Sequence, residues 1–182
     1  MKLFAWDKSF REIFFSQLIS IFGGLIAGVF LAIYTDSLLL IPGMFILIPG
    51  FLEMRGNISG AFSARLSSGL FLKIVKPYEF RTKIVKGNLF ASFLLAVITS
   101  FILGLVAFVL TFLLFKVVVI KLLFIPVIAG ILANAVEIPL ALVATFYLFS
   151  RGHDPNNIMG PFVTSTGDVV SVLALIIALV VL

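Results

Sequence analysis

Apolar residues run through this chain in long blocks broken by short polar stretches, and the block lengths match membrane crossings. The pattern predicts helical spans over residues 13–34, 88–115, 122–149 and 161–182. Each is near or above the ~20 apolar residues that a bilayer crossing needs. Thr35, Asp36 and Ser37 read as a tight turn after the first span, and residues 150–160 as a polar, turn-rich loop. Between the first and third spans lies a less regular region. Residues 37–52 and 58–72 are apolar, with Glu53, Arg55 and Asn57 between them. A continuous helix over that region would be about 54 Å long at ~1.5 Å per residue, against a hydrocarbon core of about 30 Å. It is one long or broken crossing, or two short ones.

Charge separates these options. Lys73, Lys76, Arg81, Lys83 and Lys86 crowd the stretch that follows. One crossing puts them on the same side as Lys2, Lys8 and Arg11, as the excess of Lys and Arg in cytoplasmic loops requires. The fold expected is therefore an all-α membrane protein of five transmembrane helices, the second long or broken at Pro42, Pro49 and Gly56. The N-terminus is cytoplasmic and the C-terminus outside. Residues 1–12, with Leu3, Phe4, Trp6 and Phe10 among charges, suggest an interfacial amphipathic segment. Gly24 and Gly28 have the spacing of a close helix contact.

Composition agrees. Hydrophobic residues make up 62% of the 182 and charged residues 12%, with no cysteine, whereas globular chains are about half apolar and a quarter charged. The net charge of +5 comes largely from the loop after the second region. That basic stretch lacks stacking aromatics and lies between apolar runs, so it marks membrane topology rather than nucleic-acid binding.

Asp168 stands out because an aspartate near a helix centre costs roughly 2.5–3.5 kcal/mol on insertion scales. Pro161, Thr164, Asp168 and Ser171 share one helical face, with Ser165 beside it. A polar stripe of this kind lines a hydrophilic path, or the carboxylate is tied to an arginine from another helix; the default for intramembrane ionisable groups favours the path. In the second region Gly50, Glu53, Asn57, Gly60, Ala61, Ala64 and Ser68 share a small, polar face, which lines a pore or allows close packing. Arg55 and Arg65 point elsewhere, toward headgroups or an acidic partner among Glu53, Glu137 and Asp154. Asn134 and Glu137 form a second polar site or, preferably, a hydrogen-bonded tie. His153 reads as a surface histidine. All these donors are oxygen, which suits Mg²⁺, with Mn²⁺ or Ca²⁺ as alternatives. Mg²⁺ keeps several waters and is held by one or two carboxylates. A two-fold pair would supply two from one Asp168 per chain.

Two stretches carry a family resemblance. Pro49-Gly50-Phe51-Leu52-Glu53-Met54-Arg55-Gly56-Asn57, followed by Ser63-Ala64-Arg65-Leu66-Ser67, resembles the first signature of the MgtE-type magnesium channels and solute carrier family 41. Asp154-Pro155-Asn156-Asn157, followed by Pro161-Phe162-Val163-Thr164-Ser165-Thr166-Gly167-Asp168, resembles the second. The resemblance implies a five-helix domain over residues 1–182 that pairs as a homodimer around a central pore. The helices bearing Gly56-Asn57 and Gly167-Asp168 would line it. Asp168 would bind a largely hydrated Mg²⁺, with Asn57 as a nearby polar group. The channels carry cytoplasmic regulatory domains, and only about a dozen residues precede the first span here, which puts magnesium sensing on a separate regulatory chain or leaves it out. Arg55 stands where the carriers often have Lys, and Asn156 where they often have Asp.

The function expected is transport of a divalent cation across the cell membrane, not enzymatic. One alternative is an intramembrane aspartyl protease, since Gly167-Asp168 matches part of a Gly-x-Gly-Asp motif. It fails on Ser165 and on the need for two carboxylates sharing a proton, for which Glu137 is the only substitute. The other is a non-transporting membrane subunit.

Overall fold

The computed structural model describes residues 7–182, and every regular element among them is a helix. Asp7 starts α1 (Lys8–Ile33), its side chain accepting a 2.7 Å hydrogen bond from the Phe10 amide. A short α2 (Thr35–Leu39) follows. The sequence reads Thr35 to Ser37 as a turn, but the Leu38 amide closes a helical hydrogen bond on the Tyr34 carbonyl. Gly43 breaks the chain with φ +91°, a conformation glycine adopts freely. A Cβ there would run into Thr111 and lie 2.8 Å from Leu122.

α3 (Met44–Phe71) is one unbroken helix of 28 residues, about 42 Å long at ~1.5 Å per residue. The long second crossing expected from the sequence is thus divided at Gly43, not at Gly56. Pro42 precedes the helix and Pro49 lies in its second turn. Thr82 caps α4 (Lys83–Phe115), accepting from the Val85 amide at 3.3 Å. α5 (Lys121–Ser150) contains Pro126 and Pro139. α6 (Pro155–Val181) begins at an Asp154 cap with proline in the first turn, a combination that favours a helix start. Half of the polar stretch expected as loop, residues 155–160, is therefore helical.

α3, α5 and α6 pack mutually, α4 covers α3 and α5, and α1 lies against α6. One apolar cluster, including Leu47, Phe51, Ile125 and Leu175, fills the half of the bundle near Gly43. A second, around Phe62, Leu66, Phe146 and Val163, fills the other half. In that second half the Phe71 and Phe149 rings meet at 5.2 Å, and Lys8 donates to the Gly152 carbonyl. The start of α1, the end of α3, the end of α5 and the start of α6 thus share one end of the molecule. The lysine-rich segment after α3 lies at that same end.

Four helices, α1, α4, α5 and α6, are long and apolar enough to cross a membrane. α3 has the length, but Glu53, Arg55 and Asn57 dilute its apolar stretch. Only 11% of the apolar window of α1 is buried against protein, compared with 44% in α5 and α6. α1 is therefore the peripheral helix. The interfacial segment expected over residues 1–12 is not separate where it is described, since Lys8 to Glu12 form the first turns of α1. Leu3, Phe4 and Trp6 lie outside the described residues. Gly24 and Gly28 have open space around them; Gly23 makes the close approach instead, against Ser165 of α6.

Candidate functional site

Two polar faces meet where α3 crosses α6. Glu53, Gly56, Asn57 and Gly60 recur on α3 at helical spacing, and Gly160, Thr164 and Asp168 do so on α6. Together with Pro49, Leu52, Ala61 and Val163 they line a cavity of about 560 Å³. Glycine at positions 56, 60 and 160 leaves the space unfilled. The Asn57 side-chain amide donates to Glu53 at 3.1 Å, which orients both groups. Thr164 returns its hydroxyl proton to the Gly160 carbonyl at 3.0 Å, leaving its oxygen lone pairs available to the cavity. Asp168 is half-buried and takes part in none of the ion pairs among the described residues. Glu53, Asn57 and Thr164 are exposed in the single chain, so the cavity opens on the flank of the bundle.

The cavity holds two carboxylates, Glu53 and Asp168. One chain thus brings two carboxylates together without a second copy. Among the described residues, no three acidic, histidine or cysteine side chains come together. The donors available are carboxylate, amide and hydroxyl oxygens, a hard set suited to a cation that retains part of its water.

Four residues of the expected lining lie off the cavity. Ala64 is exposed one turn beyond Gly60. Ser165 faces α1. Ser171 is fully buried, its hydroxyl without a partner among the described residues. Gly167, one residue and about 100° from Asp168, packs on Glu137, and a Cβ there would collide with that carboxylate. It is a close-packing glycine. Pro49 and Gly160 line the cavity without having been expected to. Both lie in or beside the two signature stretches, and one more turn of each polar face reaches them.

A second polar group lies behind α6. Arg55, fully buried, donates to both Asn134 and Glu137. Ser59 donates to Glu137 at 2.7 Å, and Asn134 to the Gly130 carbonyl at 2.7 Å. Asn134 and Glu137 are both 1% exposed, so this network is internal and ties α3 to α5. Its arginine goes to Glu137, leaving Asp168 on the cavity. Arg65 takes part in none of the ion pairs among the described residues; it donates to Asn88 at 2.7 Å and Ser92 at 3.0 Å. His153 lies at the surface, 2.8 Å from Glu12.

Apolar crossing helices around an internal polar network and a carboxylate-bearing cavity define a multi-pass membrane protein. The family model of the MgtE divalent cation transporters matches residues 48–178, a stretch that contains most of α3, all of α4 and α5, and nearly all of α6. The chain belongs to that family, which is one of transporters rather than enzymes, and both signature stretches lie within the match. Searches of curated proteins and of solved structures gave no match.

Proposed function

We propose that this chain carries Mg²⁺ across the membrane along a path formed between two copies, with Asp168 holding a largely hydrated ion. The observation that carries this reading is the open flank of the cavity. A carboxylate-bearing surface inside a bundle of apolar helices cannot face hydrocarbon, where polar groups are too costly to leave unmatched. A second copy set against α3 and α6 would cover it and join two half-cavities into one path. Each copy would bring Asp168, Glu53 and Asn57. The ion would keep part of its hydration shell, consistent with the few carboxylates available and with magnesium's reluctance to dehydrate. Mn²⁺ and Ca²⁺, with the same preference for oxygen, are the related cations to compare.

In this arrangement α3 joins α1, α4, α5 and α6 as a crossing, second in chain order, with its polar face turned to the path. The lysine-rich end lies in the cytoplasm and the C-terminus outside. Gly56 and Gly60 keep the wall close to the ion, and Thr164 adds a hydroxyl. The test is Mg²⁺ entry into liposomes, compared between wild type and Asp168→Ala. Flux is expected to fall roughly tenfold or more, the change that a contact of ~1.4 kcal/mol controls. Equal flux would rule the reading out.

A further inference from the structure

The start of α1 carries a second cavity, of about 500 Å³, which the cation path does not use. Lys8, Arg11, Phe15 and Ile19 line one side of it, and His153 and Ile158 the other. The four α1 residues recur at three- and four-residue steps and so share a face. Their order is cationic at the helix start and apolar below, over about 16 Å at ~1.5 Å per residue.

Glu12 lies in the same wall and would repel an anion, but its carboxylate is engaged. It is only 8% exposed, lies 2.8 Å from His153, accepts from Asn157 at 3.0 Å and is 3.9 Å from Lys8. Asp7 is used in capping the helix. Arg11 is exposed and in no ion pair among the described residues, and the Lys8 side chain is 68% exposed. The groove therefore presents positive charge above an apolar floor, at the end of the molecule that also carries the basic loop.

We infer that this groove is a binding site for an anionic phospholipid, its phosphate between Lys8 and Arg11 and its upper acyl chain along Phe15, Ile19 and Ile158. Charge complementarity selects this occupant. A second copy meeting the groove by the same face would set Lys8 and Arg11 against like charges, and a zwitterionic headgroup would bring a cation to them. The bound lipid spans α1, the 151–154 loop and the first turns of α6, so it braces the seam closed by Glu12, His153 and Asn157. The inference needs only that the helices lie in a bilayer; it does not depend on the cation path.

The experiment reconstitutes the full chain in nanodiscs of equal phosphatidylglycerol and phosphatidylcholine, and counts the lipids it retains in native mass spectrometry. Wild type should retain phosphatidylglycerol in preference. Lys8→Gln with Arg11→Gln should lower that retention roughly tenfold, since each basic side chain near the surface contributes measurably to binding an anionic lipid. Lys8→Arg with Arg11→Lys should preserve it, as should Lys116→Gln with Lys121→Gln at the other end of the bundle. Equal retention of the two lipids by wild type, or retention unchanged in the Lys8 and Arg11 double variant, would overturn the inference. So would a loss in that variant matched by the Lys116 and Lys121 variant.

Discussion

Glu137 is touched by three residues from two helices. Arg55 and Ser59 reach one of its oxygens from α3, and Gly167 of α6 presses on the other. That second oxygen has no hydrogen-bond partner among the described residues. Glu137→Gln would strand the buried Arg55 charge, a change that typically costs about 3–5 kcal/mol, while replacing both members with apolar residues of similar volume is often near neutral. The expected outcome is a strongly lowered unfolding midpoint for Glu137→Gln and partial recovery in Arg55→Met with Glu137→Leu, read by thermal unfolding in detergent. At this scale Asp168 was legible because an ionised group in an apolar helix is expensive wherever it points. The partner of Arg55 was not: three acids were within the reach of a sequence argument, and only packing selects Glu137. The facing of Gly167 was hidden for a related reason, since neighbours in one motif are turned by about 100° on a helix.

The polar helix α3 is the element on which the site depends, and its start is fixed by one residue. Gly43 combines φ +91° with a contact that leaves no room for a side chain beside Thr111. Gly43→Ala should therefore destabilise by about 1–3 kcal/mol, the usual range for a residue forced into such a conformation, seen as a lower midpoint in the same unfolding assay. The crossings themselves were legible from the apolar blocks, because block length and bilayer thickness are directly comparable. Helix ends were less so. Asp154 and Pro155 carry a start signal, but the surrounding Asn and Gly residues have the composition of a loop. The short α2 differs from a turn by little more than one hydrogen bond. Polarity within α3 was visible; that it lies on one continuous helix starting after Gly43 depends on contacts with α4 and α5 that no local pattern encodes.

At the scale of the whole molecule, the open flank makes a geometric demand. If two copies close one path, Asn57 of each lies near the axis. Asn57→Cys in this otherwise cysteine-free chain should then give a disulfide-linked dimer on oxidation in membranes. A cysteine at Val109, exposed on α4, should not. A monomeric Asn57→Cys product under conditions that oxidise a control dimer would count against pairing through this face. Pairing was suggested in the sequence by a count of acids, and the two carboxylates in one cavity remove that support. What replaces it is the exposure of Glu53, Asn57 and Thr164 together on one flank, which only a folded chain displays.

The placement of α1 also sets an order of events in time. Apart from slight contact with α2, its packing partner is α6, which begins roughly 120 residues after α1 ends. At synthesis rates of about 5–20 residues per second, α1 is complete many seconds before the surface it docks on exists. Through that interval it must persist as a lone helix in lipid. Its broad apolar surface, with Phe22, Leu25, Ile33 and Ile19 exposed even in the finished fold, suits a helix that waits in hydrocarbon. The contact of Gly23 with Ser165 then forms late, when α6 arrives and the bundle acquires its outer member.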